Sequence, residues 1–244
     1  MSRYLNPNPS HVDFLNLVRL NVGFRAHFTP IGDDESVDAI PRTSAKRAEH
    51  AVANAIARLE RIARDTTVTE DVRHEHAGIV LKAVQKEVRE AADTIRRFGE
   101  REAAEAQKRA FAVLEADTGK ASVYSEIRQI FRERAAQGDP NWPAEASRLV
   151  ATNLDVAAAI NAAPGFNSGL SDERHTALRL EALNAHAPED AAAILHNADI
   201  AKQADRMEAG LRQLGAAWYS PANADRATAS RVDPHAALVP PADA

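Results

Sequence analysis

The nine histidines are the first candidates for chemistry, because imidazole and carboxylate groups at helical spacing can bind a metal ion. Helical di-iron proteins use Glu-x-x-His on two helices, with further glutamates. This chain contains no such motif, and the nearest patterns are Asp71-x-x-His74 and Asp172-x-x-His175. Both aspartates fall in predicted first helical turns, where the helix dipole favours negative charge. His74 and His76 would point about 200° apart on a helix, so we predict no metal site.

Motifs for nucleophilic catalysis or phosphate binding are also absent from the sequence. There is no cysteine, which excludes disulfides and thiolate sites. No Gly-x-Ser-x-Gly, P-loop or Gly-x-Gly-x-x-Gly occurs, and Ser122 and Ser171 stand at predicted helix starts. The two glycines of Gly165–Gly169 fit an ordinary interhelical loop better than a phosphate cradle. We therefore predict no catalytic residue, no cofactor and no enzymatic activity.

A single long helix organises the rest of the chain. Apolar residues in its first half alternate in steps of four and three, which places them in one stripe. They are Ala77, Leu81, Val84, Val88, Ala91, Ile95 and Phe98. Thr67 and Glu70 have the spacing of a capping box, and Gly119 is a natural left-handed stop after Asp117. A helix from Thr67 to Asp117 would be roughly 75 Å long at 1.5 Å per residue.

The stripe changes phase at Gly99. The next heptad positions, Glu102 and Glu105, are charged, and apolar residues resume on a rotated face. They are Ala103, Ala106, Ala110 and Val113, with Phe111 and Leu114 beside them. Glycine costs about 1 kcal/mol relative to alanine inside a helix, so the helix either kinks here or continues with new partners. Because strong helix formers surround Gly99, we predict a continuous helix.

Shorter helices are expected to pack against the long one. A heptad stripe predicts a first arm that opens at Thr43 or Ser44 and ends near Arg64. Its members are Ala45, Ala48, Val52, Ala55, Leu59 and Ile62. Residues 44–117 would then form an αα-hairpin with unequal arms. Further helices are predicted over 122–137 and 143–162, from Ser171 onward, and over 188–218. Their apolar positions are Val123, Ile127, Ile130, Phe131, Leu149, Val150, Leu154, Val156, Ile160, Leu178, Leu180, Leu183, Ile200, Ala204, Met207, Leu211, Leu214 and Trp218.

The N-terminal region has a different pattern, with apolar residues at every second position from Val18 to Phe28. This period of two is typical of a half-buried strand, although a helix beginning at Ser10 remains an alternative for its first part. No second strand of similar quality follows, so a lone strand would need a sheet in a partner. We predict partner-binding residues here and just before the C-terminal tail, where Trp218 and Tyr219 are either core residues or interface anchors. The N-terminal set is Val18, Leu20, Val22, Phe24 and Phe28.

Composition limits the remaining functions. The net charge is −5 and no basic stripe is present, so nucleic-acid binding has little electrostatic support. No apolar run reaches the length of a membrane span, and the first residues lack the basic and then apolar pattern of a signal peptide. A cytoplasmic protein, or one incorporated in a particle assembled there, is therefore expected. Aromatic residues make up only 5%, and alanine-rich seams favour long, thin bundles.

The sequence therefore predicts an all-α fold: an elongated helical bundle with coiled-coil character, built on a long αα-hairpin with extended arms at both ends. The predicted divisions are an N-terminal arm and loop (1–42), a helical body (43–219) and a C-terminal tail (220–244). In style this is similar to virion and secretion-apparatus components, although no motif carries the likeness. The expected function is a non-catalytic assembly protein that binds other protein subunits as a homo-oligomer or in a larger complex. The alternative is a helical ligand-binding protein or enzyme.

Overall fold

All regular elements in the described part of the chain are helical. The computed structural model describes Ile31 and residues 35–231. These residues form the α-helices α1 (Ala39–Arg64), α2 (Glu70–Val113), α3 (Ala121–Gln137), α4 (Trp142–Thr152), α5 (Leu154–Asn161), α6 (Asp172–His186), α7 (Pro188–Trp218) and α8 (Pro221–Ala229). Two 3₁₀ turns, Thr118–Lys120 and Gly165–Ser168, connect them. The all-α prediction is confirmed, whereas the predicted strand over 18–28 lies outside the described residues.

The chain divides into two compact units. Unit 1 comprises Met1–Phe98 and Ile200–Ala244, and unit 2 comprises Gly99–Asp199. The helices α2 and α7 each contribute one part to either unit. The predicted division into arm, body and tail follows expected roles rather than packing, and it stays a prediction.

In unit 1, the first part of α2 packs against α1 and the second part of α7. The predicted α2 stripe from Ala77 to Phe98 is buried in this core. The α1 stripe from Ala45 to Leu59 and the α7 stripe from Ile200 to Trp218 are buried with it, so the long hairpin is confirmed. The buried α1 stripe includes the small residues Ala45, Ala48 and Ala55.

The long helix is continuous across Gly99. It runs for 44 residues, which corresponds to about 66 Å at 1.5 Å per residue. The boundary between the two units falls between Phe98 and Gly99, so the predicted change of partners is confirmed. On the rotated stripe Ala106, Ala110 and Leu114 are fully buried, but Val113 is 42% exposed, contrary to its predicted position on the apolar face.

Unit 2 has its own core, in which Phe131 and Trp142 form an edge-to-face pair with ring centroids 4.9 Å apart. Two histidines of α6 bind carbonyl groups in the last turns of neighbouring helices, where the backbone oxygens lack helical partners. His175 Nε2 lies 2.9 Å from the oxygen of Ile160, and His186 Nε2 lies 2.8 Å from that of Val150. His175 of the Asp172-x-x-His175 pattern therefore binds a backbone oxygen at the end of α5.

Several predicted helix ends are wrong. Thr69, not Thr67, starts α2, because its hydroxyl accepts the N–H of Val72 at 3.4 Å, while Thr67 instead binds Asp65. Left-handed φ angles among the described glycines occur only at Gly138 and Gly169. Gly119 is therefore not the left-handed stop that the sequence predicted; its N–H donates to Asp117 Oδ1 within a 3₁₀ turn.

The starts of three other elements also differ from prediction. Helix α1 begins at Ala39, four residues early, because Pro41 is tolerated in the first helical turn. Ser122 does not cap α3, which begins at Ala121 directly after the 3₁₀ turn. Residues 221–229 form α8 instead of an extended tail, since Ser220 caps this helix by accepting the N–H of Asn223.

The predicted helix over 143–162 is two helices, α4 and α5. Asn153 has an extended conformation, with φ −131° and ψ 112°, and its side chain accepts the N–H groups of Asp155 and Val156. An asparagine that caps the next helix in this way ends the previous one. Four positions predicted as apolar contacts, on α3, α5 and α6, are more than 40% exposed: Val123, Ile130, Leu154 and Leu180.

Candidate functional site

A groove between α2 and α7 in unit 1 is the strongest candidate for a binding site. Two glycines open it, Gly78 on α2 and Gly215 on α7. A Cβ atom at Gly215 would meet nothing within 4 Å, which leaves open space along α7. A Cβ atom at Gly78 would lie only 2.8 Å from Tyr219 Cε2. The absence of a side chain at Gly78 therefore lets the Tyr219 ring close one end of the groove.

The groove has an apolar floor and a polar rim. Leu81 and Leu211 contribute the aliphatic surface, and Tyr219 contributes an aromatic wall. The volume is about 280 Å³, just below the roughly 300–1,000 Å³ typical of sites for drug-sized ligands. This size suits one or two apolar side chains from a docked segment better than a large cofactor.

The rim is basic. Lys82, Arg89 and Arg212 line it, all three are exposed, and none forms an ion pair with another described residue. The carboxylate of Glu208, also on the rim, accepts a hydrogen bond of 3.0 Å from Arg96. The hydrogen bonds of Arg96 to Glu208 and Asp205 raise the pKa of its guanidinium further. With three basic side chains and one carboxylate, the residues that line the groove carry net positive charge.

The corner between α7 and α8 lies next to the Tyr219 end of the groove. The backbone N–H of Ser220 donates to Nδ1 of His74 at 3.2 Å, and the His74 side chain is fully buried. Burial lowers the pKa of His74 from its ordinary value of 6.5. Two ion pairs also connect this region to α2: Arg226 of α8 to Asp71 at 2.9 Å, and Arg231, which follows α8, to Glu75 at 2.7 Å.

A second groove, of about 340 Å³, lies between α1 and α2. It is more polar, and its rim includes His50, Asn54 and Arg58 of α1. Arg47 at this rim is already paired with Glu87 and Glu90, at 4.0 and 3.7 Å. Its apolar surface consists mostly of alanine, which offers less area for a docked side chain than the leucines between α2 and α7.

The predicted partner-binding residues have different outcomes. Val18, Leu20, Val22, Phe24 and Phe28 lie outside the described residues. Trp218 is only 1% exposed and belongs to the core of unit 1, which matches its interpretation as a core residue. Tyr219 is partly buried and lines the groove. The sequence pattern did not identify the groove itself, although two glycines inside predicted helices, Gly78 and Gly215, were a signal that could have located it.

Comparison of the chain with models of known protein families, with curated proteins and with solved structures found no match. Among the residues that the structure describes, no three His, Asp or Glu side chains are grouped as they would be around a metal ion. None of the helices in the described ranges combines the length and apolar character that a membrane crossing requires.

Proposed function

We propose that this protein is a non-catalytic assembly protein, and that the α2–α7 groove receives the C-terminal segment, residues 232–244, of a neighbouring copy. The observation that carries the proposal is the combination of an apolar floor with three basic rim side chains that have no ion-pair partner among the described residues. An exposed apolar groove with a charged rim is typical of protein docking surfaces.

The proposed occupant has the complementary chemistry. Residues 232–244 contain Leu238 and Val239, flanked by Asp233 and Asp243, and include no lysine or arginine. The apolar side chains of this segment would pack on the floor of the groove. Its carboxylates would form ion pairs with Lys82, Arg89 and Arg212. A terminal segment exchanged between identical chains is a common, low-cost route to homo-oligomers.

Charge reversal on the rim tests this proposal. We expect the double variant Arg89→Glu, Arg212→Glu to shift the chain toward monomer in sedimentation velocity, because two attractions become repulsions. The association of the unaltered chain should also weaken as salt is added, since exposed charges are screened. Arg97→Glu is the matched control, because Arg97 is an exposed arginine on α2 outside the groove.

The proposal fails if the unaltered chain is monomeric at every concentration, or if Arg97→Glu disrupts association as much as the rim variants do. Far-ultraviolet circular dichroism on each variant would show that the helices are retained, so that a loss of association is not a loss of fold.

A second candidate is a small-ligand-binding protein, favoured by the α1–α2 groove. His50, Asn54 and Arg58 line the same cavity, and convergent polar groups in a cavity of this size are typical of sites for small polar ligands. Inorganic phosphate is a suitable first probe for such a site. Phosphate that raises the melting temperature of the unaltered chain, but not that of Arg58→Gln, would support this candidate.

A further inference from the structure

We propose that His74 is a proton-sensitive latch, which holds the corner between α7 and α8 against α2 while it is neutral and releases that corner when it is protonated. The inference deepens the proposed function and rests on it in one respect. Tyr219, which directly precedes the corner, forms one wall of the docking groove, so movement of the corner would alter the groove.

The hydrogen bond to His74 fixes the protonation state of the ring. A backbone N–H can only donate, so Nδ1 must carry a lone pair when it accepts from Ser220 at 3.2 Å. A neutral imidazole then carries its proton on Nε2. His74 Nε2 is buried and has no hydrogen-bond partner among the described residues. Protonation of Nδ1 would remove the acceptor, and it would also place an N–H opposite an N–H.

The residue that His74 holds is the start of α8. Ser220 donates its backbone N–H to His74 and accepts the N–H of Asn223 on its own hydroxyl at 3.4 Å. The same residue therefore attaches α8 to α2 and caps it. The ion pairs of Arg226 and Arg231 also connect this region to α2. Loss of the His74 bond would detach the capped end of α8, where the chain turns away from Tyr219.

The charges that face His74 do not keep it protonated. Glu70 and Asp71 of α2 favour the imidazolium, whereas Arg73 of α2 and Arg226 of α8 oppose it. Burial has the largest effect and lowers the pKa of His74 below its ordinary 6.5. The unfolded or detached state therefore binds the proton more readily. The stabilisation is fully present above pH 6.5 and is lost as the pH falls from 6.5 towards the lower pKa of the buried ring.

Hydrogen exchange of residues 219–231, followed by mass spectrometry, measures the release directly. We expect the opening equilibrium of α8 to rise by up to about tenfold for each pH unit in this window, after correction for the intrinsic pH dependence of exchange. His74→Asn supplies an oxygen acceptor that does not titrate, so its α8 should lose this pH dependence. His76→Asn is the matched control and should keep it.

A second readout needs no change at His74. The chain has two tryptophans, so Trp142→Phe leaves Trp218, next to the corner, as the single indole reporter. Its emission should stay constant from about pH 7.5 to pH 6.5 and shift to longer wavelength as the pH falls from 6.5 towards the lower pKa of the buried ring. Asp71→Asn removes an ion pair of α8 and keeps the latch. It should therefore weaken α8 and retain a pH response, moved to lower pH because the Asp71 carboxylate favours the imidazolium.

The latch is overturned if neither α8 exchange nor Trp218 emission responds over this range, or if His74→Asn responds as the unaltered chain does. Both readouts report on the corner within one chain. Failure of the latch is thus distinguishable from failure of the proposed assembly, which sedimentation reports.

Discussion

Gly78 and Gly215 are chemically identical residues in two packed helices, and their surroundings give them opposite roles. The ring of Tyr219 occupies the space that a side chain at Gly78 would need, at 2.8 Å from the Cβ position. Gly215 faces open groove, where a Cβ atom would meet nothing within 4 Å. The same glycine-to-alanine substitution therefore tests a close contact at one position and helix propensity at the other.

We expect Gly78→Ala to lower the free energy of unfolding by about 1–2 kcal/mol, as overpacking commonly does. Thermal and urea unfolding measure this change. Gly215→Ala is the matched control, and it should raise the free energy of unfolding by up to about 1 kcal/mol through better helix propensity.

The Gly78 contact can also be isolated with a double variant. If Tyr219→Leu relieves the crowding, then Gly78→Ala in that background should no longer be destabilising. A Gly78→Ala effect that is equal with and without the Tyr219→Leu substitution would show that the ring is not the cause.

Sequence patterns predict which residues are buried far better than they predict which residues form a functional site. The stripe on α2 from Ala77 to Phe98 depends only on helical periodicity, which is local. The role of His74 depends on the backbone of Ser220, which is 146 positions away along the chain. Spacing alone presents Asp71-x-x-His74 as a metal pattern or a helix start and gives no indication that the ring is buried.

At the scale of elements, individual side chains decide where each helix begins and ends. Several predicted helix ends were wrong for this reason. Several Ser, Thr and Asn residues could cap a helix near each predicted boundary, and propensity does not choose among them. The apolar pattern continues through Asn153, so the sequence predicts one helix where the structure has two. The exposed Val123 and Ile130 show the related problem that an apolar stripe predicts a face but not whether a neighbour covers it.

The cap at Asn153 is open to a direct test. Asn153→Ala should lower the free energy of unfolding by about 0.5–2 kcal/mol, because two N–H groups at the start of α5 lose their acceptor. Ser122→Ala should be close to neutral, since the structure assigns Ser122 no capping bond. Chemical denaturation measures both, and a larger loss at Ser122 than at Asn153 would contradict the assignment of the caps.

Gly99 tests the continuity of α2. The helix passes through this residue without a break, so Gly99→Ala should be tolerated or should raise the free energy of unfolding by up to about 1 kcal/mol. Gly99 is buried. A marked drop in melting temperature would therefore mean that a neighbouring helix approaches too closely for a methyl group.

At the scale of the whole molecule, residues that stabilise the fold have to be distinguished from residues that are predicted to bind other protein subunits. Ile31 is 3% exposed and belongs to the core of unit 1, whereas the alternating pattern from which we predict partner binding runs from Val18 to Phe28. A deletion that ends at residue 28 separates these two contributions, because it leaves Ile31 in place.

Deletion of residues 1–28 should leave the melting temperature unchanged and reduce assembly, as measured by calorimetry and sedimentation. The described core loses no residue in this variant. A large fall in the melting temperature of the monomer would instead assign the deleted segment to the core, and the N-terminal part of the interaction hypothesis would be wrong.

The proposed contact between residues 232–244 of one copy and the α2–α7 groove of another is open to photo-crosslinking. Leu238 is replaced by the photoreactive residue p-benzoylphenylalanine in one preparation, which is mixed with an isotopically labelled unaltered chain and irradiated. We expect mass-spectrometric crosslinks between labelled and unlabelled chains that map to residues 78–89 and 211–219. Crosslinks confined to single chains, or crosslinks that map away from these two stretches, would show that the segment does not bind there.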